Sequence, residues 1–170
     1  MAKLVVFYSR ADENYFGGTK RYIEVGNTEK IAGMIADAAK ADVFKIEQKV
    51  PYAADYNTYI EQAKKDLQEN IRPELLNHLE SIDKYDEIYL GFPNYWGTMP
   101  MAVLTFLEQF DWSGKKIYPF VTHEGSGFGK SVSDLKRACG GASIQEGLSV
   151  QGSMAEHARS NVENWIKSIM

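Results

Sequence analysis

The sequence predicts an α/β fold: a doubly wound parallel sheet with helices on both faces. Three observations predict it. Short apolar runs alternate with stretches of helical periodicity, the main runs are apolar at consecutive positions, and no repeat or low-complexity tract interrupts the series. Consecutive apolar residues suit strands covered on both faces, and parallel neighbours need crossover connections of the kind helices make.

Leu4, Val5, Val6, Phe7 and Tyr8 form the first strand. After a long connection, Ile31, Met34, Ile35 and Ala38 recur at helical spacing from Asn27 onward, with Lys30, Asp37 and Lys40 largely outside the stripe. Val43, Phe44 and Ile46 make the second strand. Tyr56, Tyr59, Ile60, Ala63 and Leu67 share one helical face, and Pro73 opens a further short helix carrying Leu75, Leu76 and Leu79. Ile88, Tyr89, Leu90 and Phe92 read as the third strand, ending at Pro93, and a helix with Val103, Leu104, Leu107 and Phe110 on one side starts near Pro100. Ile117, Tyr118, Phe120 and Val121 make the fourth strand, although Pro119 inside it cannot donate to a ladder. Val132, Leu135 and Cys139 mark another helix, Gly147 to Val150 a fifth strand, and Ala158, Val162, Trp165, Ile166 and Ile169 a closing helix. Five strands fill residues 1–170 as a single domain.

Composition narrows the function classes. The chain has 170 residues, 44% of them hydrophobic, enough for one packed core, and 19 basic against 23 acidic residues give a net charge of -4. Such a balance lacks the basic excess of a dedicated nucleic-acid binder. The lone cysteine, Cys139, excludes an intrachain disulfide and a multi-cysteine metal site, and it suits a reducing compartment. The run from Leu4 to Tyr8 is too short for a signal segment or a membrane span. The expectation is a soluble cytoplasmic protein with neither nucleic-acid nor membrane partner and an open oligomeric state.

Doubly wound sheets bind ligands beyond the carboxyl ends of their strands, which directs attention to the loops after strands one, three and four. In the first, Ser9 and Arg10 close the strand, and Val25, Gly26, Asn27, Thr28 and Glu29 lead into the helix. Free amides of a first helical turn favour an anion, with Ser9, Asn27 and Thr28 as side-chain donors, while Asn27 also suits an ordinary N-cap. Residues 10–26 exceed an ordinary connection; Tyr15, Phe16, Gly17, Gly18, Tyr22, Ile23 and Val25 fit a small hairpin, either a surface flap or a lid. The second loop runs Pro93, Asn94, Tyr95, Trp96, Gly97, Thr98, Met99, Pro100. Its paired aromatics suit stacking on a flat heteroaromatic ring, or packing of Trp96 onto the sheet. The third loop, Thr122, His123, Glu124, Gly125, Ser126, Gly127, Phe128, Gly129, misses a nucleoside-triphosphate loop because Glu124 stands where that motif needs glycine. His123 faces the site from a strand end, where a hydrogen-bonded structural role outweighs that of proton donor.

Together the loops resemble the flavodoxin family across essentially the whole chain. Ser9 followed by Gly26, Asn27, Thr28 and Glu29 is similar to that family's phosphate loop, Asn94 to Gly97 to its first flavin-stacking loop, and His123 to Phe128 to its second. The resemblance implies strand order 2-1-3-4-5 and FMN as cofactor. By position, Ser9, Asn27 and Thr28 would hold the phosphate, with amides around Arg10 and Gly26 assisting. Trp96, with Tyr95, would cover one ring face, while Pro93, Thr122, Glu124, Gly125, Gly127 and Phe128 would line the rest. Val25 stands where the family usually has threonine, and Arg10 is the candidate to replace that donor.

The function so implied is electron transfer, with FMN cycling between oxidised, semiquinone and hydroquinone states and larger redox proteins as partners. The same fold also serves NAD(P)H-dependent quinone or nitro-compound reductases, in which nicotinamide and acceptor alternate over the flavin. A turn at Trp96, Gly97 and Thr98 would answer the flavin's protonation by turning a carbonyl, with Gly97 tolerating positive φ.

Overall fold

The computed structural model describes residues 2–169. Its elements are β1 (Ala2–Tyr8), β2 (Asp12–Phe16), β3 (Thr19–Ile23), α1 (Asn27–Ala39), β4 (Asp42–Ile46), α2 (Tyr56–Gln68) and β5 (Tyr85–Pro93), followed by α3 (Met101–Leu107), β6 (Lys116–His123), α4 (Ser131–Ala138), β7 (Ser143–Ile144), β8 (Leu148–Gln151), a 3-10 helix (Gly152–His157) and α5 (Arg159–Ile169). The sheet runs β4-β1-β5-β6-β7 with β8 also on β6, and every pairing in it is parallel. This is the expected doubly wound order, with two corrections. The fifth position is split into two segments, so six strands form the sheet, and β2 and β3 make a separate antiparallel hairpin.

The apolar run of β1 is continuous because both of its faces are covered. Leu4, Val6 and Tyr8 enter one core, with Tyr59, Val103, Phe106 and Leu135 from the helices on that side. Val5 and Phe7 point into the other, with Ile31 and Ile35 of α1 and Val162, Trp165 and Ile166 of α5. Full burial of a side chain such as Ile31 contributes about 1.5–3 kcal/mol over leaving it in water. Among the described residues no helix is long and apolar enough to cross a membrane.

Pro119 finds its explanation in the split strand. β6 pairs with β7 at Lys116 and Ile117 and with β8 from Phe120 to His123, so the proline falls where that ladder is interrupted. A residue without an N–H is tolerated at such a break. The helix expected after Pro73 does not form. Lys49 donates its amide to the Glu74 carbonyl and Leu76 to that of Glu47, both at 2.8 Å, so the segment lies extended across the chain beyond β4. Leu75 alone is buried while Leu76 is exposed, too narrow an apolar stripe to hold a helix against the core. Cys139 lies just past α4, at its C-cap, where burial pushes its thiol up to about 12.

Candidate functional site

The carboxyl ends of β1, β5 and β6 open into a cavity of about 670 Å³, and each wall traces to a local cause. At β1, Ser9 Oγ accepts the Glu29 amide at 3.0 Å, which ties the strand end to the first turn of α1. Only glycine fits at position 26, since an added Cβ would lie 2.1 Å from Ser9 Oγ and 2.7 Å from the Arg10 carbonyl oxygen. Gly26, rather than Asn27, is the N-cap, and it offers no side-chain cap. The first helical bond runs from the Lys30 amide to the Gly26 carbonyl at 3.2 Å, so the amides of Asn27 and Thr28 have no acceptor one turn back. Both residues line the cavity, and Asn27 Oδ1 is buried without a hydrogen-bond partner.

The other two loops behave as one unit. Tyr95 and Thr98 exchange backbone bonds across a turn whose centre, Trp96 at φ 52 and Gly97 at φ 88, has the paired positive φ of a type I′ turn. Asn94 joins the loops: its Nδ2 donates to the Gly127 carbonyl at 2.8 Å and its Oδ1 accepts the Gly97 amide at 2.9 Å. The Gly97 carbonyl accepts the Lys130 amide at 2.6 Å. The buried hydroxyls of Thr28 and Thr122 share a hydrogen bond of 2.7 Å, fastening α1 to β6.

The opposite wall comes from the hairpin and α2. Tyr15 and Tyr56 have ring centroids 5.4 Å apart, Tyr56 and Tyr59 5.3 Å, and Tyr59 and Tyr95 5.4 Å. The Arg10 guanidinium lies 3.7 Å from the centre of the Tyr59 ring. Arg10 donates to the carbonyls of Ala11 and Glu13 and, at 2.8 Å each, to those of Ala53 and Ala54. Both terminal nitrogens are thereby committed to backbone, so Arg10 braces this wall instead of replacing the donor missing at Val25. Val25 is itself exposed and outside the cavity. Glu13 Oε1 accepts the Tyr56 amide at 2.8 Å and Lys20 Nζ donates to Asn57 at 2.9 Å, so the hairpin is strapped to α2.

Burial keeps the tyrosines of this wall in their neutral form beside the Arg10 charge. Burial raises Tyr59 to about 12 despite the opposing charge of Arg10, and burial carries Tyr95 well above the ordinary tyrosine value. The Tyr95 hydroxyl is buried beside those of Tyr8 and Tyr59 and makes no well-formed hydrogen bond. His123 is held below its ordinary 6.5 by burial, which outweighs the opposing effect of Glu124. Its Nδ1 accepts the Gly125 amide at 2.8 Å and its Nε2 lies 2.9 Å from Ser149 Oγ, a structural role for both ring nitrogens.

Of the residues expected at the site, Arg10, Asn27, Thr28, Pro93, Asn94, Tyr95, Thr122, Glu124 and Gly125 line the cavity. Ser9 and Gly26 stand behind it and shape the start of α1. Gly127 bonds to Asn94, and Phe128 packs against the core. Trp96 and Gly97 border a second cavity of about 270 Å³ that shares Tyr56, Tyr59, Asn94, Tyr95 and Ser126 with the first. Trp96 is 46% exposed, donates Nε1 to the Ile60 carbonyl at 2.8 Å and has Lys64 Nζ 5.2 Å from its ring centre. His123 and Ser126 of the expected third loop also line it, and Asn14, Tyr15, Tyr56, Tyr59 and Gly152 complete the main cavity without having been expected there. The available signal was the choice of tyrosine, which brings a hydroxyl that wants a partner, on an otherwise apolar stripe. Among the described residues no cluster of side chains could hold a metal ion.

A family model described as flavodoxin matches residues 20–169. Solved structures share the fold. A Bacteroides uniformis protein, described provisionally as a flavoprotein, is 26% identical over 98% of this chain and 97% of its own, with a TM-score of 0.77. A Lactobacillus acidophilus flavoprotein in complex with FMN is 19% identical over 92% and 97%, with a TM-score of 0.65. Oxidised flavodoxin 2 from Bacillus cereus is 20% identical over 98% and 97%, with a TM-score of 0.57. No curated protein matches. With the family model covering residues 20–169, and the open helix start and the paired loops at one sheet edge, the chain belongs to the flavodoxin family.

Proposed function

We propose that the protein binds FMN at this edge of the sheet and uses it to transfer electrons. The observation that carries the proposal is the open start of α1 beside a buried, unpartnered Asn27 Oδ1. An orphaned buried acceptor costs about 1–3 kcal/mol until it meets a donor, and the hydroxyls of a ribityl chain are donors. The adjacent amides and the positive end of the helix suit a phosphate. A single ligand with an anionic group and a polyol answers both, and FMN has both. The complex of the Lactobacillus acidophilus relative with FMN supports the choice.

Asn27, Thr28 and the first-turn amides of α1 would hold the phosphate end. The turn at Asn94 to Gly97 and the loop from Glu124 to Phe128, locked together by Asn94, would hold the ring. Bound FMN supplies redox chemistry; the chain supplies orientation and surroundings. Because Lys130 holds the Gly97 carbonyl, the turn presents a fixed backbone edge rather than a loose one. Titration of the ligand-free protein with FMN, followed by visible absorption and flavin fluorescence, tests the reading. Saturable spectral change at one FMN per chain is expected, and an unchanged free-flavin spectrum contradicts it.

A further inference from the structure

We infer that the hairpin of β2 and β3 is a strap across the phosphate end of the site, and that FMN enters and leaves only while the strap is swung out. The inference rests on the FMN reading and adds to it the step that controls cofactor exchange.

Cross-strand register sorts the side chains of the hairpin onto two faces. Glu13 stands opposite Tyr22 and Tyr15 opposite Lys20, and this face meets α2. Glu13 Oε1 takes the Tyr56 amide at 2.8 Å, Lys20 Nζ bonds Asn57 at 2.9 Å, and the rings of Tyr15 and Tyr56 touch with centroids 5.4 Å apart. Asn14 stands opposite Arg21 and Phe16 opposite Thr19, on the other face. There Lys30 Nζ, in the first turn of α1, lies 5.8 Å from the centre of the Phe16 ring and pairs with Glu156 of the 3-10 helix at 3.2 Å. At the tip, a Cβ built on Gly17 would lie 3.6 Å from Ser153 Cβ. The hairpin is thus wedged between α2 and the 3-10 helix, with Asn14 and Tyr15 bounding the cavity beside Asn27, Thr28 and Gly152.

The wedge is held lightly. β2 and β3 pair with each other and with no strand of the main sheet. Among the described residues, one backbone-to-backbone bond ties these strands to the rest of the chain, from the Glu13 amide to the Ala54 carbonyl at 3.3 Å. A two-stranded ribbon is marginally stable by itself, and a unit fastened by exposed side chains opens well before the core does. Arg10, bonded to the carbonyls of Ala53 and Ala54, anchors the base of the hairpin, so the tip at Gly17 and Gly18 is the end that swings.

Two opposed variants test the inference. Glu13→Ala combined with Lys20→Ala removes two clasps, neither of which lines the cavity. In stopped-flow mixing with FMN, read by flavin fluorescence, association and dissociation both quicken by about fivefold or more, while Kd stays within about threefold. Gly17→Cys combined with Ser153→Cys does the reverse, because that Cβ separation suits a disulfide and Cys139 is buried away from it. Loaded with FMN and then oxidised, this variant releases the flavin at least about tenfold more slowly than after reduction with dithiothreitol. The inference is overturned if the alanine variant leaves both rates unchanged, if it quickens release alone and so weakens binding, or if the cross-linked protein exchanges FMN as fast as the reduced one. Where thiol titration shows that the disulfide has not formed, the alanine variant decides alone. Failure of the wild type to take up FMN overturns the cofactor reading itself, and the flavin spectrum reports that before any rate is measured. Amide hydrogen exchange over residues 12–23 of the ligand-free protein tells the two failures apart: it is faster in the alanine variant whether or not FMN binds, and equal exchange overturns the strap.

Discussion

Asn94 donates its side-chain amide to the carbonyl of Gly127 at 2.8 Å, and that contact makes the loops after β5 and β6 one rigid unit. The same side chain accepts the Gly97 amide, so a single carboxamide fixes both sides of the proposed ring site. Asn94→Ala removes both bonds and leaves two backbone groups to find water. The expected loss is about 1–3 kcal/mol of stability, together with weaker FMN binding. Urea unfolding and FMN titration of the variant check this; unchanged values in both remove Asn94 as the joint.

Thr28 and Thr122 form a buried hydroxyl pair, which a double-mutant cycle can isolate. Thr28→Val alone strands the Thr122 hydroxyl and costs about 1–3 kcal/mol, while the double valine variant leaves no orphan and loses less than the two single losses added together. Strict additivity in urea unfolding of the FMN-free protein contradicts the pairing.

Gly26 and Gly97 are constrained for different reasons and respond differently to alanine. At Gly26 the new Cβ meets Ser9 and the Arg10 carbonyl, so the start of α1 must shift; FMN binding is lost and stability falls by about 1–3 kcal/mol. At Gly97 nothing lies within 4 Å of the new Cβ, and only its φ of +88 is penalised, at about 1 kcal/mol. Thermal unfolding and FMN titration of the two variants separate a blocked position from a conformationally strained one.

His123 makes stability depend on pH. Its folded pKa lies below the ordinary 6.5, because burial disfavours the charged ring and Nδ1 must stay unprotonated to accept the Gly125 amide. The contribution is complete above 6.5 and is lost as pH falls from there through the lowered folded value. His123→Asn retains an acceptor and cannot titrate. The drop in urea midpoint between about pH 7.5 and about pH 5.5 is expected to be smaller in the variant than in the wild type. Equal drops assign the acid sensitivity elsewhere.

Much of this molecule is legible in its residues. The unbroken run from Leu4 to Tyr8 announces a strand buried on both faces, and its alternate members do enter two different cores. The turn around Gly97 and the helical stripe from Asn27 onward are local chemistry, so the sequence displays them, although the cap is Gly26 and not Asn27. Pro119 was opaque because its tolerance depends on where another strand is interrupted, a tertiary fact. Leu75, Leu76 and Leu79 suggest a helix by spacing, yet backbone bonds to Glu47 and Lys49 hold the segment extended. Tyr56 and Tyr59 merge into the apolar stripe of α2, and only the folded chain shows that they and Tyr15 face a cavity. Arg10 has the charge of a phosphate ligand, but four backbone carbonyls claim it, and no spacing rule reveals that.

The central claim is that the start of α1 grips an anionic group on a flavin. Calorimetric titration of the ligand-free protein with FMN and with riboflavin, which lacks the phosphate, tests it most directly. The account predicts one FMN per chain, bound more tightly than riboflavin by about tenfold or more, since each hydrogen bond to a charged group contributes roughly 1.5–3 kcal/mol. Absence of heat with FMN, or equal affinity for the two flavins, contradicts it.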